Sequence, residues 1–239
     1  MTQLAGPVSL SGLTPESRKP EWHHTSSRSA DMQVAVVLYP GFTALDVVGP
    51  YEVLGRLPDV EVVFVAERTG LVRNDLGSLL IEAMATLDDV TSPDVVLIGG
   101  GPGQSAQMSD GPLHRWLRDV DRTSAWTTSV CSGALILAAA GLLTGRRATT
   151  HWAALDMLTE FGVTPSRDRV VIDGHYATAA GVSAGIDMAL TLAGLISGDD
   201  VAQTVQLIIE YAPEPPYHSG SVDSAPATVR KSAIEILTA

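Results

Sequence analysis

Short apolar runs alternate with amphipathic stretches along the chain from Met32 onward. Short β-branched runs between turn signals are typical of buried strands, and apolar positions three or four apart are typical of helices. Strands are predicted over residues 34–39, 60–66, 94–98 and 125–130, and helices over about 45–54, 113–121, 132–140, 186–195 and 201–210. Strands that alternate with helices form βαβ units. The pattern therefore predicts an α/β fold with a doubly wound, mostly parallel sheet and helices on both faces.

The remaining segments predict smaller elements, and the N-terminal residues lack the alternating pattern. Residues 71–73 and 78–81 flank an Asn-Asp pair and predict a small hairpin, residues 170–172 and 176–179 predict a polar strand pair, and a helix is expected after His151. Residues 1–31 are rich in Ser, Thr and Pro and have no sustained apolar period, so we expect a disordered leader there. Residues 32–239 are expected to form a single α/β domain.

Charge and composition exclude several classes of function. The 15 Lys and Arg against 27 Asp and Glu give a net charge of -12, which opposes binding to the phosphates of a nucleic acid. Lysine occurs only at Lys19 and Lys231, so the body of the domain has no lysine for a Schiff base or a Walker A loop. No apolar run reaches the roughly 18 residues of a membrane span, and no signal-peptide core is present. We expect a soluble, cytoplasmic protein without membrane or nucleic-acid partners.

The single cysteine lies at a predicted strand-to-helix turn. One cysteine excludes internal disulfides and Cys-based zinc or iron–sulfur sites, and no metal is expected. Cys131 follows the strand ending at Val130 and is flanked at two positions' distance by Ser129 and Gly133, as a tight nucleophile elbow requires. The start of the next helix favours a thiolate there. The alternative is a buried, inert cysteine.

Two other segments are expected near this cysteine because they follow neighbouring strands. Asp46 lies at the start of an apolar helix, where it is either a helix cap or a carboxyl whose pKa is raised by burial and which hydrogen-bonds the thiolate. The glycine run 99–103 offers backbone N–H groups that can stabilise negative charge. The run is therefore a candidate part of the site, with Gly100 as a secondary candidate.

Several further motifs and histidines can be interpreted either as structural or as functional. Residues 101–106 match a G-x-G-x-x-A dinucleotide fingerprint, but they follow a later strand and contain a proline, so a nicotinamide cofactor is not expected. The G-x-S-x-G at residues 181–185 is read as a turn that packs a helix onto the sheet. Among the histidines, His114 is expected on a helix surface, His175 in a turn and His218 in a Pro-rich tail. His151 and Trp152 are secondary site candidates.

The chain resembles the PfpI and parkinsonism-associated deglycase superfamily, whose fold is flavodoxin-like and related to class I glutamine amidotransferases. Within it, the chain is most similar to the isonitrile hydratase (isocyanide hydratase) group. The resemblance covers residues 32 to about 230. It rests on LYPGFTALDVVGPYEVL (38–54), DVVLIGGGPG (94–103), TSVCSGALILAAAGLLTGRRATTHWAALDML (128–158), AGVSAGIDMALTLA (180–193) and VQLIIEYAPEPP (205–216).

The resemblance implies a role for each matching residue. Cys131 would be the nucleophile, Asp46 its carboxylic partner, and Ser132 would stand where the group has threonine. The backbone N–H groups of Gly101 and Ser132 would form the oxyanion site. PfpI-type proteases have His at the Ser132 position, which disfavours a peptidase, and deglycases usually have Glu at the Asp46 position.

The implied activity is the hydration of an isonitrile to an N-substituted formamide through a thioimidate, by a homodimer that needs no cofactor. Two alternatives remain open at this point: a deglycase or glyoxalase that uses the same thiol, and a redox-sensing or ligand-binding member of the superfamily without turnover.

Overall fold

The computed structural model describes residues 32–238, so the leader predicted for residues 1–31 lies outside the described residues. The main sheet has seven strands: β1 (Met32–Val37), β2 (Val60–Ala66), β5 (Ala85–Thr86), β6 (Val95–Ile98), β7 (Trp126–Val130), β10 (Val170–Asp173) and β11 (Tyr176–Ala179). Their order across the sheet is β10-β11-β7-β6-β1-β2-β5, and every pairing is parallel except that of β10 with β11. The predicted mostly parallel, flavodoxin-like sheet is confirmed.

Continuous apolar runs explain why β1 and β6 lie at the centre of the sheet. All four residues of β6 are buried, and so are the last four of β1, with which β6 pairs from Val34–Val95 to Val37–Ile98. A strand covered on both faces exposes neither of its side-chain rows to water, so such runs do not alternate with polar residues.

Helices cover the two faces of the sheet. The helices are α1 (Ala44–Leu54), α2 (Pro112–Val120), α3 (Gly133–Ala139), α4 (Ala184–Ser197), α5 (Asp199–Ile208) and α6 (Ala227–Leu237). On one side α1 packs against α4 and α4 against α5, whereas α2 and α3 pack against each other. None of the helices within residues 32–238 combines the length and apolar character needed to cross a bilayer.

Smaller elements complete the fold and correct part of the prediction. The expected hairpin is present as β3 (Gly70–Arg73) and β4 (Leu80–Ala83), and a short pair, β8 (Arg147–Ala148) with β9 (Thr164–Pro165), was not predicted. The helix expected after His151 is a 3-10 helix, Trp152–Phe161, in which only Leu158 is buried. Helix α6 was also not predicted. None of its described residues is buried, so no apolar stripe faces the core to mark it.

The strand order creates a crevice at the carboxyl ends of β1 and β6. The connection after β1 returns to β2 on one side, and the connection after β6 leads to β7 on the other. Loops that leave neighbouring strands in opposite directions open a cleft between them, where α/β proteins bind ligands. Asp46 follows β1, the glycine run 99–103 follows β6, and Cys131 follows β7, so all three segments reach this edge.

Candidate active site

Cys131 occupies a strained turn between β7 and α3. Its φ is +58°, a left-handed value that a residue with a side chain rarely adopts. Its N–H donates to the carbonyls of Ala179 (3.0 Å) and Ala180 (3.3 Å), and its own carbonyl accepts a bond from Thr150 Oγ1 at 2.7 Å. Such strain persists only where the surroundings fix it. The elbow therefore presents a thiol that is 7% exposed at the edge of the crevice.

Ser132 connects the elbow to the glycine run. The N–H of Gly101 donates to Ser132 Oγ at 3.1 Å. The backbone N–H and the hydroxyl of Ser132 lie close enough to the Cys131 sulfur to stabilise a thiolate there. Each of the two donors lowers the pKa of the thiol, because each stabilises the thiolate. The Gly101 N–H thus bonds the Ser132 hydroxyl, and the groups that act on the sulfur are the backbone N–H and the hydroxyl of Ser132.

Gly100 has no side chain, and this leaves room beside it for the backbone N–H and the hydroxyl of Ser132. A Cβ built at this position would lie 2.4 Å from Ser132 N, 2.5 Å from Ser132 Oγ and 3.0 Å from Cys131 Cβ. These are contacts with backbone and with a fixed side chain, so any residue other than glycine would displace the elbow. Gly100 also donates its N–H to Asp46 Oδ2 at 2.9 Å.

Asp46 is fully buried in the first turn of α1, with a side-chain exposure of 0%. Gly100 N–H satisfies one carboxyl oxygen. Oδ1 has no hydrogen-bond partner among the described residues. The Cys131 side chain lies close enough to the carboxyl to lower its pKa. Burial raises the pKa of Asp46 to about 7, although the bonds from Gly100 and Cys131 act in the opposite direction. Asp46 therefore titrates near neutral pH, as the burial interpretation of the sequence expects.

The thiol and this carboxyl form a buried, coupled pair. Burial is the largest influence on the pKa of Cys131 and raises it well above its ordinary value. The Asp46 charge raises it further, and the Ser132 donors oppose both. The expectation that the helix start favours a resting thiolate is therefore outweighed, because α3 is only seven residues long and the sulfur is desolvated. Asp46 is the carboxyl that interacts with this thiol and could accept its proton.

His151 and Gly181 enclose the thiol on another side. A Cβ at Gly181 would lie 2.3 Å from His151 Cδ2 and 3.2 Å from Cys131 Sγ, so this glycine lies between the ring and the sulfur. His151 Nδ1 accepts the Ala153 N–H at 3.3 Å, and burial lowers the pKa of the imidazole. Trp152, whose ring centroid is 5.4 Å from that of His151, is 37% exposed and lies further out.

The structure thus brings together the predicted residues Cys131, Asp46, Ser132, Gly100, Gly101 and His151, with Trp152 adjacent to the histidine. Three residues at the site were missed: Tyr39, which donates its hydroxyl to Gly99 O at 2.7 Å, and Thr150 and Gly181. Tyr39 had a signal, since it ends a strand before a Pro-Gly turn.

Other sequence predictions have separate outcomes. His114 was expected on a helix surface, which is wrong: it is buried, and its Nε2 bonds Gln107 O at 2.7 Å. His175 lies in the turn between β10 and β11, as predicted. In the G-x-S-x-G segment, a Cβ at Gly185 would touch Pro50 and Val130 at 3.0 Å, in agreement with a helix-packing role.

The chain is thus an α/β protein with a flavodoxin-like sheet that has a cysteine elbow and a buried carboxyl at its carboxyl edge. The family model described as "DJ-1/PfpI family" matches residues 32–194, and the chain belongs to this family.

Individual relatives narrow the comparison. The chain is 46% identical over 198 residues to an isonitrile hydratase of Pseudomonas putida, covering 83% of this chain and 86% of that protein. It is 26% identical to the glutathione-independent glyoxalase DJR-1.2 of Caenorhabditis elegans, over 72% of this chain and 92% of that protein. Among solved structures, a ThiJ/PfpI family protein of Pseudomonas syringae aligns with a TM-score of 0.85 and 37% identity, over 96% of this chain and 95% of the other.

Proposed function

We propose that this protein is an isonitrile hydratase, an enzyme that converts an isonitrile R–N≡C and water to an N-substituted formamide. The observation that carries the proposal is the thiol of Cys131 next to the buried carboxyl of Asp46. The similarity to an isonitrile hydratase over most of both chains supports it. An isonitrile carbon accepts a nucleophile and a proton at the same atom, which a thiol–carboxyl pair can supply.

In the first step, Cys131 attacks the terminal carbon of the isonitrile. Asp46, as carboxylate, takes the thiol proton while the sulfur–carbon bond forms, and the resulting carboxylic acid delivers that proton to the same carbon. The product is a thioimidate, R–N=CH–S, attached to Cys131. Asp46 is suited to both transfers because burial brings its pKa to about 7, close to the pH at which it must gain and lose a proton.

In the second step, water adds to the thioimidate carbon. The carbon–nitrogen double bond becomes single as nitrogen takes one proton of the water, and the carbon retains the hydroxyl. Collapse of this adduct breaks the carbon–sulfur bond, forms the formamide carbonyl and returns the hydroxyl proton to the sulfur. Asp46 is the group placed to move these protons, so the thiol and the carboxylate are regenerated together.

The Ser132 donors stabilise the sulfur when it carries negative charge, at the start of the cycle and when the carbon–sulfur bond breaks. Fixed N–H and O–H donors aimed at a developing charge need no reorganisation during the reaction. The Gly101 N–H holds the Ser132 hydroxyl in place at 3.1 Å. We assign His151 and Trp152 to the wall that receives the R group, because one ring faces the thiol through Gly181 and the other follows it outward.

The direct test incubates the protein with cyclohexyl isonitrile and quantifies N-cyclohexylformamide by chromatography. We expect turnover by the wild type and none by Cys131→Ala. The absence of product with folded wild type, or undiminished product with Cys131→Ala, would refute the proposal.

The same preparation distinguishes the other functions open to this fold. The named activity of the C. elegans relative makes a glyoxalase the second candidate, and lactate formed from methylglyoxal in preference to formamide would favour it. Sulfenic or sulfinic acid on Cys131 after mild peroxide, without turnover of either substrate, would favour a redox sensor.

We also propose a cytoplasmic homodimer. The lone cysteine fits a reducing compartment. Leucines at the start of α1 and on the β3–β4 hairpin are exposed and would be covered by a second copy: Leu45, Leu71, Leu76, Leu79 and Leu80. Light scattering after size exclusion would give twice the chain mass of 25.1 kDa, and a single chain mass at micromolar concentration would contradict the dimer.

A further inference from the structure

Arg169 encloses the turn that covers the Cys131 thiol. This turn comprises residues 180–183 and joins β11 to α4. At its beginning, the Ala180 N–H donates to the carbonyl of Arg169 at 2.9 Å. At its end, the Arg169 guanidinium donates to Ser183 Oγ at 3.1 Å and to Asp187 Oδ2 at 2.7 Å. One residue therefore holds both ends of the turn.

A tyrosine from the C-terminal part of the chain joins this ion pair. The Tyr211 hydroxyl lies 3.3 Å from Asp187 Oδ1 and 3.2 Å from Oδ2 and donates to this carboxylate. Tyr211 follows Glu210, whose φ is +52°, and its N–H bonds Gln206 O at 3.1 Å, so the ring is turned back from the end of α5 toward α4. The Asp187 carboxylate thus joins three segments: the residue before β10, the first turn of α4 and the segment after α5.

The middle of this turn lies against the thiol. Gly181 lies between Cys131 Sγ and the His151 ring, and its built Cβ would overlap the ring at 2.3 Å. The Cys131 N–H also bonds Ala179 and Ala180 at the start of the same turn. A shift of the turn by even 1 Å would therefore change both the elbow and the space over the sulfur.

We propose that Arg169 and Asp187, secured by Tyr211, are positioning residues for the Cys131 reaction that act through the turn 180–183. None of the three touches the sulfur in the contacts described above. Their effect is to keep Gly181 over the thiol, so that the substrate carbon reaches Cys131 from one direction only. This role rests on the proposed hydratase function, since it concerns the same thiol.

The energetic cost of removing the ion pair distinguishes positioning from simple support. The Arg169 and Asp187 side chains are 48% and 33% exposed, and ion pairs this exposed contribute little to folding. The melting temperature of a variant should therefore change little. The reaction should change much more, because misplacement of a reacting group by about 1 Å can cost about 100-fold in rate.

A matched control lies at the other end of the strand that follows Arg169. Asp173 ends β10, is 34% exposed and pairs with Arg146 at 3.4 Å. Because β10 is antiparallel to β11, Asp173 lies opposite Tyr176, at the sheet edge far from Cys131. Asp173→Asn thus removes a comparable charge from a comparable pair without touching the turn 180–183.

The experiment compares Asp187→Asn, Tyr211→Phe, Arg169→Lys and Asp173→Asn in three measurements: melting temperature, kcat and KM with cyclohexyl isonitrile, and the rate at which iodoacetamide alkylates Cys131. For Asp187→Asn we expect kcat to fall about 10-fold or more while alkylation becomes faster, because a looser turn uncovers the sulfur. Arg169→Lys retains one of the two side-chain contacts and should be intermediate, and Tyr211→Phe should be milder. Asp173→Asn should match the wild type.

Lower turnover and faster alkylation at an unchanged melting temperature are the result that positioning predicts, because a loss of folded protein would also uncover the thiol but would lower the melting temperature. If Asp187→Asn speeds alkylation only together with a lower melting temperature, or leaves both rates equal to those of Asp173→Asn, the positioning role is wrong. Alkylation needs no isonitrile. If the wild type lacks hydratase activity, the alkylation rates still decide whether the turn is held by Arg169 and Asp187, and the two proposals fail separately.

Discussion

Ser132 Oγ accepts a hydrogen bond from the Gly101 N–H at 3.1 Å and lies against the sulfur of the preceding residue, Cys131. The hydroxyl therefore links the strand end after β6 to the elbow after β7. The contact uses only the oxygen, so it does not need the methyl of the threonine that the isonitrile hydratase group is expected to have there. Serine in place of threonine therefore keeps the hydrogen bonds of this position.

Ser132→Ala should lower activity without unfolding the protein. The change removes a donor that stabilises negative charge on the sulfur during the reaction, and a hydrogen bond to a charged group contributes about 1.5–3 kcal/mol. We expect kcat/KM to fall about 10- to 100-fold, in line with that energy. Steady-state kinetics with cyclohexyl isonitrile measures the effect.

Ser132→Thr is the matched control for this position, because it restores the group's expected residue and keeps the hydroxyl. It should remain within about three-fold of the wild type, a difference under 1 kcal/mol. Equal losses in the Ala and Thr variants would show that volume, and not the hydroxyl, determines the effect.

Asp46→Asn should abolish turnover and increase stability at alkaline pH. Burial raises the folded-state pKa of Asp46 from 3.8 to about 7, so ionisation in the folded protein is unfavourable. This cost is absent below the unfolded pKa, grows as the pH rises and is complete above about pH 7. Its size is on the order of 4 kcal/mol, which the neutral amide avoids.

Urea unfolding at pH 8 and at pH 4 measures this difference. We expect Asp46→Asn to exceed the wild type in free energy of unfolding at pH 8, with the gain largely gone at pH 4. A variant that is less stable than the wild type at pH 8 would contradict the assigned cost of the buried charge.

The pH dependence of turnover should have its acid limb near pH 7. The proposed first step needs Asp46 as a carboxylate to accept the thiol proton, so activity is lost as the pH falls through the pKa of about 7. A profile of log kcat/KM from pH 5 to 9 with cyclohexyl isonitrile measures the limb. Full activity at pH 5 would mean that Asp46 does not act as the proton acceptor.

Gly100→Ala should abolish activity because its Cβ would lie 2.4 Å from Ser132 N and 2.5 Å from Ser132 Oγ. The elbow would have to move, and the donors to the sulfur with it. Gly220→Ala is the control, since nothing lies within 4 Å of a Cβ built there. Kinetics and melting curves of both variants provide the measurement, and wild-type kcat in folded Gly100→Ala would contradict the geometry.

The alternation of apolar and amphipathic segments was sufficient to predict the layered α/β fold, because burial on both faces imposes an apolar run on β1 and β6. The elbow at Cys131 was also readable, since a tight turn requires small residues around it. Helix α6 was missed because none of its described residues is buried, so no apolar stripe marks it. His114 was misjudged for a different reason: it lies beside the apolar stripe of α2, and the carbonyl of Gln107 that satisfies its buried ring comes from the preceding segment.

Local sequence thus determined which residue is the thiol and which carboxyl begins a helix near it. The chemical properties of the thiol and the carboxyl depend on contacts that form only when the chain folds. The pKa of Asp46 depends on how completely it is removed from water and on Gly100, 54 residues away, and the position of Ser132 Oγ depends on Gly101, 31 residues away. Desolvation and close approach are set by groups that the fold brings together from distant segments, so no pattern of adjacent residues specifies them.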